Sequence, residues 1–542
     1  MAASAHVDTF ARDGLPPPEA MPEFIFERPE LQLPEQLNVA DELLQRWVDS
    51  GQGGRTCVCG FDEQGRELRW SYAELQSQVN RIARVLVDDM GLVPGNRVLL
   101  RGGNSPMLAA CFFAVFKAGG IAVGSMPLLR VRELVQIIDK AKVTHALCDA
   151  RWLDELAQAR AQQPRLAHIA CFNGETAEAS LSALAAAKPA HFSGVRTAAD
   201  DVALIAFTSG TTGVPKGTMH VHRDLVAACH CWPPHVLRAQ PDDIFIGSPP
   251  LAFTFGLGGL LLFPMSIGAA TVLVEKATPE PLLHALAHWR ATVCVTAPTS
   301  YRVMAGQAAL HDLRSLRKCV SAGEALPAAT RDLWRQASGI ELIDGIGATE
   351  MLHIFISADE AQARGGATGV AVPGYRACVL DEQGREVAQG EVGRLAVKGP
   401  TGCKYLADER QAVYVQGGWN ITGDAYRVGS DGQFEYVSRT DDMIISGGYN
   451  IAAPEVEAAL LEHPAVLECG VIGATDELRG QIVKAFVVLT PGIESGAGTT
   501  LLLQDFVKSR IAPYKYPREI VFCAQLPRTE TGKLQRFRLR SM

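Results

Sequence analysis

No run of basic residues appears anywhere in this 542-residue chain, whose formal net charge is −8. A nucleic-acid binder needs a basic patch that can neutralise successive phosphates, so that class of partner is excluded. The sequence does not open with a charged start followed by an apolar core, so no signal peptide is expected. Its 13 cysteines have no repeated spacing. This argues against a disulfide framework and for a reduced, cytoplasmic setting. Internal repeats and low-complexity tracts are also missing. One uncharged stretch, Leu251 to Val274, is long enough for a membrane span. Glycine and proline interrupt it and no basic cluster flanks it, so it reads as a buried helix–turn–strand and no membrane partner is expected.

The chain does contain short apolar strands alternating with helical patterns. A Ser71-x-x-Glu74 capping box opens a helix with Leu75, Val79, Ile82 and Leu86 on one face. "RVLL", "IAVG", "HALCDA", "LAHIACF", "VALIAFTS", "TVLVE", "TVCVTAPT", "LRKCVSAGE" and "ELIDGIG" follow as strands. The fold class is therefore α/β, a large N-terminal region of layered, mostly parallel subdomains. After about residue 365 the strands shorten and alternate, which predicts a small β-rich subdomain. From Met443 a compact α+β pattern restarts, so the boundary is placed in "SRTDDMI": residues 1–438 and 439–542, with the junction near 439–442. The first 25 residues read as extended and surface-bound.

"TSGTTGVPKGT", Thr208 to Thr218, combines three glycines, five hydroxyls and Lys216 directly after an apolar strand. Such backbone exposes several N–H donors to a phosphate, and hydroxyls and an ammonium add to them. It is not the P-loop of nucleotide hydrolases, because Pro215 precedes the lysine where that pattern needs glycine. A mobile turn is the competing reading. A second candidate, "HVHRDLVAACHCWPPH", offers His220, His222, Cys229, His230, Cys231 and His235. Consecutive Cys-His-Cys positions on a helix point apart, so a zinc site is not expected there.

The loop is similar to the signature of the acyl-adenylate-forming superfamily, which includes acyl- and aryl-CoA synthetases, peptide-synthetase adenylation domains and luciferases. Further segments resemble that family in the family's order. They are "PLAFTFGLG" (Pro250–Gly258), "SAGEAL" (Ser321–Leu326), "DGIGATE" (Asp344–Glu350), "TGD" (Thr422–Asp424), "SRTDDMIISGGYNIAAPEVE" and "PRTETGKLQR" (Pro527–Arg536). The resemblance implies an ATP-dependent acid–thiol ligase using Mg2+ and coenzyme A, with a C-terminal domain that moves between two half-reactions. It implies Lys533, Glu350, Thr349 and Lys216 as catalytic residues, Glu350 being the magnesium ligand. Nucleotide contacts would come from Thr208, Ser209, Gly210, Thr211, Thr212, Gly213, Ser321, Ala322, Gly323, Glu324, Asp344, Gly345, Ile346, Gly347, Asp424 and Arg439. The pantetheine arm would pass Gly447, Gly448 and Tyr449, and Asp441 would be the hinge. Ile346 stands where the family usually stacks an aromatic ring on adenine, so aliphatic contact is expected instead.

Phe253, Thr254, Phe255, Ala322, Gly345, Leu352 and His353 would wall a flat, mostly apolar acid pocket. The wording is closest to benzoate- and 2-aminobenzoate-CoA ligases, which implies a small aromatic carboxylate as substrate. A homodimer is compatible with this reading. A medium-chain fatty acyl-CoA ligase, loading of a carrier protein and a degenerate adenylate-binding scaffold are the alternatives. Retention of Lys533 and Glu350 argues against the last.

Overall fold

The computed structural model describes residues 2–208, 215–440, 442–446, 449–476, 479–528 and 534–542, without the side chains of 445, 449 and 450. Among the described residues the strands form four sheets. A seven-stranded sheet joins Arg97–Arg101, Ile121–Ser125, His145–Asp149, His168–Phe172 and Val202–Thr208 in parallel and adds the antiparallel strand Lys216–Val221. A nine-stranded sheet contains Val293–Thr296, Lys318–Ala322 and Leu342–Gly347 as parallel neighbours. A five-stranded antiparallel sheet spans Arg376 to Arg439. From Met443 onward another five-stranded sheet forms, with Glu519–Phe522 its one parallel member. This is the α/β region with a small β subdomain and an α+β C-terminal part expected from the strand patterns.

The helices follow from their sequences. Ser71 caps Tyr72–Arg84: its hydroxyl accepts from Glu74 N at 3.2 Å, and Glu74 accepts from Ser71 N at 2.8 Å. Leu75, Val79 and Ile82 on that helix are fully buried. They pack on Pro106–Lys117, a helix started by Ser105 and proline and apolar on every side because it lies inside the main core. Leu251 to Val274 folds as three short helical turns and the strand Ala270–Val272. No described helix is long and apolar enough to cross a membrane.

Two arginines are buried in the strand Arg97–Arg101, and both have partners. Arg101 donates to the carbonyls of Met126, Pro127, Leu129 and Trp152. Arg97 donates to the carbonyls of Gly95, Ala141 and Lys142 and pairs with Asp8 at 2.6 Å. That ion pair corrects the expectation of an extended, surface-bound N-terminus. The arm turns into the short helix Phe10–Asp13, buries Ala11 and His6, and accepts Pro94 O as partner for Val7 N and Asp8 N. Sequence patterning missed it because its anchors are single residues without periodicity.

Burial disfavours ionisation of Asp8, but Arg97, Phe10 N and Asn96 outweigh it and hold the carboxyl below its usual range. Asp8→Ala leaves the buried guanidinium short of its anionic partner and is expected to lower stability by about 1–3 kcal/mol, read from urea unfolding. A depressed carboxyl stabilises only while ionised. The gap between wild type and variant should therefore be full at neutral pH and close as the pH falls through the folded-state value.

Candidate functional site

The strand Val202–Thr208 runs into the glycine-rich segment and returns as Lys216–Val221, with Thr208 opposite Lys216. Ser209, Gly210, Thr211, Thr212 and Gly213 lie outside the described residues, as do Asp441, Gly447, Gly448 and Lys533, and the side chain of Tyr449. The residues around these segments converge. Lys404–Leu406 lies along Lys216–Val221, with Met219 N donating to Lys404 O at 2.7 Å and Leu406 N to Gly217 O at 2.9 Å. Lys216 Nζ donates to Tyr405 Oη at 2.8 Å, and Tyr405 Oη donates to Glu350 Oε1. Lys216 and Glu350 themselves stand 3.8 Å apart.

Glu350 sits in the 3-10 turn Thr349–Met351, which is held from behind by His220. The His220 Nε2–H donates to Thr349 O at 2.8 Å, a role fixed by the carbonyl's inability to donate. Below it, Asp224 accepts from Lys404 Nζ at 2.7 Å in a buried ion pair. His220 and His222 thus serve the fold. Among the described residues no group of three or more His, Cys, Asp or Glu could hold a metal, and His222–Trp232 of "HVHRDLVAACHCWPPH" is a helix.

At the ends of two parallel strands, Ser321 lies opposite Asp344 and Ala322 opposite Gly345. Ser321 Oγ and Asp344 Oδ1 are buried without a hydrogen-bond partner. Burial pushes the Asp344 carboxyl up to about 7, against the pull of Arg331. Orphaned polar atoms at strand ends are what a polar ligand would satisfy. Gly323 turns the chain away at φ +91, and Glu324 accepts from Thr299 and from Arg528 at 3.2 Å. Arg528 and Leu534, which flank the segment containing Lys533, pair across an isolated bridge. Asp424 and Arg439 face each other across an antiparallel ladder, with Arg439 Nη1 3.1 Å from Asp424 Oδ1 and 3.0 Å from Thr422 O.

Of the residues expected to wall the acid pocket, His353 makes the most ring contacts. His353 is buried with its ring 5.6 Å from Phe255, 4.4 Å from Phe263 and 6.0 Å from Trp232. His353 Nε2 donates to Phe255 O at 3.2 Å, and burial lowers the ring's pKa to about 3. A neutral ring with its proton on Nε2 leaves Nδ1 as a bare acceptor, and that atom is buried without a partner. Phe255, Ile346 and Ala348 are half-buried against the same core. Leu352, between Glu350 and His353, is held at φ +70 and ψ −50, a strained region for a branched side chain. Phe253 begins the helical turn Thr254–Leu257 and makes no ring contact with this cluster among the described residues.

Sequence reasoning did not single out Tyr405, Trp232 or Arg528, and named His220 only within the metal candidate it set aside. Tyr405 meets Lys216 across 189 residues, and no local pattern announces such a contact. Gly258 has a sharper role than its motif suggested: a Cβ there would lie 2.3 Å from His353 Cδ2. His353 is walled by three rings and cannot yield. Gly258→Ala is expected to cost about 1–3 kcal/mol by overpacking, measured as a lowered unfolding midpoint.

The family model "AMP-binding enzyme" matches residues 44–405, and "AMP-binding enzyme C-terminal domain" matches 455–533. Benzoate–CoA ligase of Thauera aromatica is 36% identical over 520 residues, 95% of this chain and 97% of that protein. The acyl-coenzyme A synthetase ACSM5 of Mus musculus is 30% identical, covering 97% and 95%. The crystal structure of the anthranilate CoA ligase AuaEII in complex with anthranoyl-AMP superposes with a TM-score of 0.90 at 34% identity, covering 95% of this chain and 98% of that one.

Proposed function

The chain belongs to the AMP-binding enzyme family, and from that premise we propose that this acyl-CoA ligase activates benzoate or 2-aminobenzoate. The acid's carboxylate oxygen attacks the α-phosphorus of ATP and the bond to pyrophosphate breaks, leaving a mixed anhydride. The thiol of coenzyme A then attacks the acyl carbon and AMP departs. Two anions meet in the first step, so cations and hydrogen-bond donors are needed where charge develops.

In this reading Lys533 brings an ammonium to the carboxylate and α-phosphate, and Lys216 accompanies pyrophosphate. Ser321 Oγ and Asp344 Oδ1 face adenine, with Ile346 against its ring, and Asp424 and Arg439 face the ribose. Glu350 and Thr349 lie where a nucleotide-bound cation would be held. One hard carboxylate and no dedicated cage among the described residues suit Mg2+, which takes one or two carboxylates plus phosphates. Bound there, Mg2+ would offset charge on the phosphate oxygens.

The observation that carries the aryl reading is the lining around His353. Three aromatic rings and small residues favour a flat apolar group over a flexible chain. The bare Nδ1 acceptor favours a ring carrying an N–H donor, hence 2-aminobenzoate over benzoate. Leaving a buried acceptor unpaired costs about 1–3 kcal/mol. In a panel scored by pyrophosphate release, 2-aminobenzoate should exceed benzoate by about tenfold or more in kcat/KM, with octanoate far behind. His353→Leu should collapse the first difference. Octanoate as the best acid would overturn the aryl reading.

The division at 439–442, with Asp441 as hinge and Gly447, Gly448 and Tyr449 along the thiol path, is proposed on the same basis. It is supported by the interface between the two parts. Among the described residues no hydrophobic cluster spans both. Polar contacts cross it: Arg302 donates to the carbonyls of Leu461, Val466 and Leu467, and Arg528 pairs with Glu324. Such an interface can open and re-form at little cost. Lys533→Ala should reduce acid-dependent pyrophosphate exchange by about 100-fold or more while transfer from supplied acyl-AMP to coenzyme A stays near wild type. Equal loss of both steps would contradict a role confined to the first.

A further inference from the structure

Tyr405 lies outside every motif that suggested the function, yet it occupies the space between the two charged residues proposed to handle the polyphosphate. Its hydroxyl accepts a hydrogen bond from Lys216 Nζ at 2.8 Å and donates one to Glu350 Oε1. The ammonium also lies 4.8 Å from the centre of the Tyr405 ring. The phenol is 1% exposed, and a tyrosine hydroxyl keeps its proton at neutral pH, so it serves as an O–H donor. Its backbone is fixed twice, by pairing along Lys216–Val221 and by the Tyr405 N–H donating to Gln411 Oε1 at 2.9 Å. Tyr414 packs edge-on against the ring at 5.9 Å.

The chemistry of the arrangement is that of a spacer. Lys216 and Glu350 form a loose ion pair at 3.8 Å, close enough to collapse into direct hydrogen-bonded contact if the phenol did not engage both. A collapsed pair would turn the ammonium away from phosphate and occupy the carboxylate oxygen needed for a cation. The phenol takes one of the lysine's three donor positions and one acceptor position of the carboxylate, and leaves the others available. A cation and an anion are thereby held close together without neutralising each other.

We propose that Tyr405 is a positioning residue for the adenylate-forming step, keeping Lys216 and Glu350 apart so that each can meet the magnesium nucleotide. This rests on the functional reading above. Tyr405→Phe keeps the ring and removes the spacer hydroxyl. The variant should need about tenfold more Mg2+ for half-maximal acid-dependent pyrophosphate exchange, equivalent to about 1.4 kcal/mol, with kcat at saturating Mg2+ changed far less. A hydroxyl that merely stabilised the fold would lower the unfolding midpoint without moving the Mg2+ requirement.

The decisive comparison adds Tyr405→Phe to Lys216→Gln. With the ammonium gone there is nothing to collapse onto Glu350, so the second substitution should shift the Mg2+ requirement no further. The proposal is overturned if Tyr405→Phe leaves the Mg2+ midpoint within about twofold of wild type, or if the same shift persists in the Lys216→Gln background. Isothermal titration of Mg-ATP gives the same comparison if turnover of the doubly substituted protein is too slow to follow. Wild-type protein that forms no acyl-adenylate would instead refute the functional reading, which separates the two failures.

Discussion

Backbone pairing between Lys404–Leu406 and the strand Lys216–Val221 is the constraint on which the centre of this molecule depends. It brings together segments almost two hundred residues apart and sets Lys216, Tyr405 and Glu350 side by side. The buried Lys404–Asp224 pair secures the same junction from below, and His220 ties it to the turn that carries Glu350. Each charged side chain has a polar partner, as buried charges require. The large core performs a separate task. It holds the strand ends level, so that Ser321, Asp344 and the glycine-rich return reach one edge of two adjoining sheets.

Much of this was legible in the sequence because it rests on local chemistry. The capping box at Ser71, the apolar strands, the switch to short alternating strands after residue 365 and the restart near Met443 all depend on patterns within one or two turns of chain. Leu251 to Val274 was read correctly for the same reason: glycine and proline mark where an apolar run must bend. The segments carrying Glu350, Asp344 and Asp424 were visible as motifs, and the structure places Asp424 opposite Arg439 as ladder neighbours.

What the sequence concealed depends on distance. Tyr405 stands in "GCKYLADER", which has neither periodicity nor a motif to mark it. The N-terminal arm looked extended because Asp8 is one residue, and only its meeting with Arg97 makes it an anchor. His353 was noticed as a candidate, but its tautomer could not be inferred until Phe255 O was seen to take the Nε2 proton. In all three cases the deciding partner comes from another element, so tertiary packing and not local propensity sets the outcome.

The same separation would explain how a rigid site and the proposed re-orienting domain can share one chain. Interactions within the N-terminal region are buried, mixed with apolar packing and costly to break. Among the described residues, those joining it to the last hundred residues include hydrogen bonds from Arg302 to carbonyls and an ion pair from Arg528. Backbone carbonyls at the end of the helix Ala453–Leu461 are good acceptors for a guanidinium, yet water serves them almost as well. Little free energy is therefore lost when this contact opens. An apolar interface of the same extent would lock one arrangement, because exposing it costs free energy in proportion to its area. A polar seam would thus permit the proposed movement of the C-terminal part, while the zipped Lys404–Leu406 segment would keep Lys216 and Glu350 in place.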